Sequence, residues 1–155
     1  KTEKKLKNSF NYIFKTPKGS KYPPILKLNK ITNFFKISGL GGDINFIPLE
    51  VNHGEINALG FKIENISYIP DVLDIPEKTW SSLKSLDVLI IDALRRTPHP
   101  SHTHLEKTLS WIEKLNPKIC YLTNMHSDLD YDEVLKEVPK NVFPSFDGLE
   151  IELKY

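Results

Sequence analysis

The 155 residues carry 21 basic and 20 acidic side chains; this balance of +1 gives no global attraction to nucleic acid, membrane or an acidic partner, so any such partner needs a local argument. At 39% hydrophobic and 26% charged, the chain is long enough for one globular domain or one half of a larger two-layer fold. No apolar stretch approaches the roughly 20 residues that span a bilayer, and a single cysteine, Cys120, excludes an internal disulfide framework and fits a reducing, cytoplasmic setting.

The chain opens on Lys1-Thr2-Glu3-Lys4-Lys5 without an initiator Met or an apolar signal region, so its start is expected to be a cut end. Residues 1–24 collect lysines around Phe10, Tyr12, Phe14 and Tyr22 and close on Pro23-Pro24. That mixture suits a phosphate backbone, but Lys outnumbers Arg throughout, and compositional bias with aromatics covering a neighbouring element is the simpler account. Thr16-Pro17-Lys18-Gly19-Ser20 reads as a turn.

From residue 25 the pattern predicts strands at 25–28, 31–37, 44–51, 59–63 and 67–69, with Gly39, Gly41 and Gly42 as a hairpin connection and Glu64-Asn65 as a turn. The front half is therefore expected to be mostly antiparallel. After Asp71 a short helix over 75–83 precedes an apolar strand over 87–92. A helix over 103–115 follows, with Leu105, Leu109, Ile112 and Leu115 on one face. A strand at 119–123, a helix at 131–138 and strands at 142–146 and 149–153 complete the expectation. Strand and helix alternate here, as in a sheet with helices packed on one face. There is no internal repeat and no low-complexity linker.

Several strands end in residues able to bind metal: His53 after Val51-Asn52, Asp71 after Ile69-Pro70, Asp92 after Ile90-Ile91, and His126 after Leu122-Thr123-Asn124-Met125. If the sheet aligns these ends, imidazoles and carboxylates meet at one rim, and such mixed N/O donors suit Zn²⁺, Mn²⁺ or Fe²⁺. Taken singly each has a plainer explanation, because Asp after a strand commonly caps a helix or forms a turn. The segment Pro98-His99-Pro100-Ser101-His102-Thr103-His104 places three histidines before a helix; they could chelate, supply a general acid near neutral pH, or stand solvated while Ser101 or Thr103 caps the helix. For His102 function is the favoured reading. Asp128, Asp130 and Asp132 lack the Gly and closing Glu of an EF-hand. One of them is expected to orient His126 and another to cap the next helix.

Five short stretches, read together, resemble the metallo-β-lactamase superfamily over roughly residues 10–155, and within it the branch of cyclic-phosphodiesterase-like hydrolases. They are Pro48 to Gly54, Gly60-Phe61 with Tyr68 to Val72, Asp92 to Arg95 with His99 to His102, Leu122 to Tyr131, and Phe146 to Leu149. The resemblance implies an α/β fold: part of an αβ/βα sandwich, with a mostly antiparallel or mixed sheet and helices on one face. It implies that His53 and His126 each bind a metal, that Asp71 bridges two, and that His102 protonates the leaving group. Assigning His126 takes a local shift, since Asn124 stands directly after Leu122-Thr123. The family's His-x-His-x-Asp-His motif has no counterpart, because His53 is the first histidine. Residues 1–155 are thus expected to be a single domain, the C-terminal part of the fold, without its N-terminal metal-binding half.

An intact enzyme of this kind would use two divalent ions, Zn or Mn, about 3.5–4 Å apart, to activate water for attack on a phosphodiester; this chain alone would hold few or none. Arg95, with His99, would bind substrate phosphate, and Asp92 and Asp130 would support the ligands. The expected partner is a phosphodiester small molecule or nucleotide, with no membrane and a possible homodimer. The rival reading is an inactive truncated remnant that serves as a binding or dimerisation module. A third is nucleic-acid binding through the lysine-rich start.

Overall fold

A computed structural model describes residues 2–152. The chain folds as two compact units, residues 1–32 and 33–155.

The first unit holds two short helices, α1 (Thr2–Ser9) and α2 (Asn11–Phe14). The strand expected at 25–28 does not form. The backbone N–H groups of Ile25 and Leu26 instead both donate to the carbonyl of Ile13, at 3.0 and 2.9 Å, folding this stretch back on α2.

The second unit is built on a seven-stranded sheet whose spatial order follows the chain. The strands are β1 (Phe35–Gly39), β2 (Gly42–His53), β3 (Ile56–Ile63), β4 (Ile66–Ile69), β5 (Val88–Asp92), β6 (Ile119–Thr123) and β7 (Val142–Pro144). β1 to β4 pair antiparallel, as tight connections such as Glu64-Asn65 demand, whereas β4 to β7 pair parallel. A parallel pair needs a crossover, supplied by α3 (Glu77–Trp80), α4 (Leu105–Leu115) and α5 (Tyr131–Glu137). The sheet is mixed and its helices share one face, as expected. Several boundaries differ: the strand expected at 31–37 forms only from Phe35 and runs to Gly39, the helix expected over 75–83 is confined to Glu77–Trp80, β7 stops at Pro144, and residues 149–152 form no strand, while Leu153 lies outside the described residues.

Alternation decides which face is core. Leu49 and Val51 of β2, Ile69 of β4, Leu89 and Ile91 of β5, and Cys120 and Leu122 of β6 are buried under Ile75, Leu83, Leu105, Trp111, Ile112 and Val134. The other face carries Pro48, Phe61, Tyr68, Ile90, Tyr121 and Phe143 in register. At its β1–β3 end Phe35 stacks on Phe46 at 5.0 Å, with Phe61 edge-on to both. Ile37, Ile44, Leu59 and Tyr68 on this face are exposed. No helix among the described residues is long and apolar enough to cross a membrane.

Candidate metal centre

Strand direction explains why distant residues meet. β2 and β4 both run antiparallel to β3, and β5 and β6 run parallel to β4. The C-terminal ends of β2, β4, β5 and β6 therefore share one rim, the usual place for a site in a sheet with parallel strands. His53 ends β2, Asp71 follows β4, Asp92 ends β5, and Thr123-Asn124 leave β6. Backbone bonds tie two of these ends together: Asn52 N–H donates to Asp74 O at 2.9 Å, and Leu73 N–H donates to Asn52 O at 2.7 Å.

The histidine loop is brought in by a second set of bonds. Leu94 N–H donates to Thr103 O, Leu105 N–H to Arg95 O, and Thr103 N–H to Val72 O at 2.6 Å, so residues 96–102 form a closed loop over the rim. That loop rests on Gly54, which has φ +71°; a Cβ there would stand 2.9 Å from Pro100 O and 3.1 Å from Ser101 Cβ. The Asn52 side chain closes the same turn, donating to Gly54 O and accepting from Gly54 N–H.

His53, Asp71 and His102 come together, one donor atom from each lying within 4.8 Å of the others. The His53 and His102 rings meet edge-on at 4.6 Å. His102 Nδ1 lies 2.7 Å from Asp92 Oδ2, which leaves Nε2 to face the group. Asp92 is fully buried and also accepts from Val72 N–H at 3.1 Å. Burial pushes its carboxyl up, against the opposing pull of His102, the Val72 amide and Asn124. Thr108, itself buried, donates to the Asp92 carbonyl at 2.8 Å, so α4 is clamped to the residue that orients His102.

The donor set fits a divalent ion. His53 Nδ1 is buried without a hydrogen-bond partner, a costly state for an imidazole nitrogen unless a ligand satisfies it. His53 and Asp71 offer the imidazole nitrogen and carboxylate oxygen that such an ion takes, with His102 beside them.

The other residues singled out from sequence lie elsewhere. His126 is outside the group: its side chain is exposed and its Nδ1 lies 3.2 Å from Asp128 Oδ1. Asn124, at φ +63°, reaches the site instead, its amide standing 3.2 Å from His102 Nδ1 and 3.4 Å from Asp92 Oδ1. Asp130 does not support a ligand; it caps α5, accepting from the N–H groups of Asp132 and Glu133, and Asp128 is the carboxylate at His126. Arg95 braces its own loop, donating to the carbonyls of Thr97 and Pro98. Arg96 pairs bidentately with Glu137 on α5. His99 lies 5.4 Å from the His102 ring, and its Nδ1 accepts from Ser101 N–H at 3.3 Å. Desolvation, then the charges of Arg95, His102 and His53, push its imidazole down. Neither Ser101 nor Thr103 caps α4, whose N-cap position is His104 without a side-chain bond.

A model of the beta-lactamase superfamily domain matches residues 1–125. Over 151 residues the chain is 30% identical to a protein named octanoyltransferase from Porphyromonas gingivalis (strain ATCC BAA-308 / W83), a match covering 94% of this chain and 29% of that protein. Among solved structures it is similar to a diphosphatase from the PhnP family, with 32% identity and a TM-score of 0.83 over 99% of this chain and 56% of that one. An isothiocyanate hydrolase from Delia radicum gut bacteria, at 13% identity and a TM-score of 0.60, covers 82% of this chain and 60% of its own and shares the fold. The chain thus spans under a third of the curated relative and just over half of the diphosphatase. With the sheet order, the one-sided helices and the His–Asp–His rim already established, the match over residues 1–125 identifies this chain as a member of the beta-lactamase superfamily.

Proposed function

We propose that this chain carries part of the active site of a metal-dependent hydrolase acting on phosphodiesters, and the convergence of His53, Asp71 and His102 is the observation that carries the reading. The similarity to a PhnP-family diphosphatase supports phosphoryl chemistry. His53 and Asp71 would hold a divalent ion, Zn²⁺ or Mn²⁺, which would supply an activated water and neutralise phosphoryl charge. A second ion would need donors beyond these side chains, which we assign to the family's N-terminal metal-binding half; residues 1–155 are in this reading the C-terminal part of one fold.

His102 protonates the departing oxygen. Asp92 fixes the ring by accepting from Nδ1, so the proton is delivered from Nε2. In this reading His99, with the N–H groups of Arg95 not spent on Thr97 and Pro98, positions the substrate phosphate. The protein works in the cytoplasm.

Octanoyl transfer through a thiol is the weaker reading for this chain. Cys120 is fully buried, and burial pushes its thiol far up, whereas a nucleophilic cysteine needs an accessible thiolate. A second reading, an inactive binding or dimerisation module, is favoured by the exposed Ile37, Ile44, Leu59 and Tyr68 on the sheet face without helices.

Titration with Zn²⁺ or Mn²⁺ followed by calorimetry separates them. A hydrolase half binds at least one ion per chain, weakened about tenfold or more by His53→Ala or Asp71→Ala, and His126→Ala leaves the affinity unchanged. Wild-type protein that takes up no ion, yet dimerises with rising concentration, would point to the module instead.

A further inference from the structure

Residues 1–32 contain nine lysines and one acidic residue, Glu3, while the rest of the chain has twelve basic and nineteen acidic residues. A preference for Lys over Arg explains which cation is used; it does not explain why the positive charge gathers in one compact unit of a chain whose balance is +1. Like charges held together repel, and such a unit is stabilised by an anionic partner. Among the described residues of the unit, Lys7 with Glu3 is the one salt bridge. Lys4, Lys5, Lys15, Lys18, Lys21, Lys27 and Lys30 are all exposed.

Aromatic rings stand among these lysines in water. Phe10 is 45%, Tyr12 61% and Tyr22 83% exposed, so no element among the described residues covers them. Tyr12 lines a groove of about 750 Å³ with Asn8, Ser9, Asn11, Lys15 and Lys18. Cations that neutralise phosphates, beside rings on which unstacked bases can lie, are what a single-strand binder needs. An anionic membrane fits less well. α1, Thr2–Ser9, has Leu6 as its lone apolar side chain and thus no apolar face to enter a lipid surface.

We propose that residues 1–32 form a binding site for single-stranded nucleic acid, with Lys15 and Lys18 on phosphates and Tyr12 and Tyr22 under bases. The proposal uses none of the metal-centre residues and does not depend on the hydrolase reading.

Fluorescence anisotropy with a labelled oligothymidylate of about twenty residues tests it, with heparin and anionic phosphatidylserine vesicles as controls. Affinity should fall linearly with salt on logarithmic axes, by about 0.7 per phosphate neutralised. Replacing Lys15 and Lys18 together by Gln should flatten that slope by about 1 to 2. Tyr12→Ala with Tyr22→Ala should weaken binding roughly tenfold or more at unchanged slope. All four side chains are exposed, so circular dichroism should match the wild type. No binding at about 50 mM salt, binding that ignores the tyrosines and is matched by heparin, or binding to the vesicles alone would each overturn the proposal.

Discussion

Asp92 and His102 show how one contact separates two roles. An imidazole facing His53 and Asp71 can be a third ligand or a proton donor, and its Asp92 partner suits both. We expect His102→Gln to keep its metal content and lose about 10²–10⁴ in kcat. The loss should be far smaller for a p-nitrophenyl ester, whose leaving group departs without a proton. Asp92→Asn should reproduce the pattern more weakly, because the ring loses its fixed tautomer while Nε2 remains. Metal lost from His102→Gln, measured by atomic absorption, would make His102 a ligand. His53, Asp71, His102 and Asp92 were legible as strand-end or pre-helix donors. The choice between Asn124 and His126 was not. They lie two positions apart, and the left-handed turn at Asn124 with the His126 N–H bond to Leu94 O at 2.7 Å sends one inward and the other out.

Among the elements, the closed loop 96–102 depends on small contacts. Gly54 combines a positive φ with a 2.9 Å approach of Pro100 O to its missing Cβ. Gly54→Ala should therefore cost about 1–3 kcal/mol of stability and weaken metal binding by moving the His102 loop off His53. Denaturant melts and the same calorimetric titration check both; stability within about 0.5 kcal/mol of wild type would mean the loop does not bear on this turn. Sequence pattern located β2 to β6 and α4 and α5 to within a few residues, because alternation and helical spacing are local properties. It missed α1 and α2, whose residues have no apolar period, and it placed a strand at 25–28 where the backbone bonds to Ile13 instead. It could not see that Arg95 is occupied by Thr97 and Pro98, since that bond exists only once the loop is closed.

At the scale of the whole sheet, helices seal one face, and the other carries the exposed Ile37, Ile44, Leu59 and Tyr68. Leu89 lies fully buried on the sealed face, and Leu89→Ala should cost about 2–5 kcal/mol in a thermal or denaturant melt. A cost under about 1 kcal/mol would mean that the helices do not press on this face. The apolar face with Phe61, Tyr68 and Tyr121 is not distinguished by pattern alone, because β5 and β6 read as continuous apolar runs that fit burial on both sides.

Composition, the spacing of apolar residues and the placing of His and Asp at strand ends were enough to identify the α/β class, most elements of the second unit and most members of the candidate site, because each depends on near neighbours in the chain. Which members meet was settled by strand direction. β2 and β4 share a direction because both oppose β3, so residues eighteen and forty-nine positions beyond His53, Asp71 and His102, arrive at one rim. No local pattern encodes that meeting, since it is a property of pairings between distant strands.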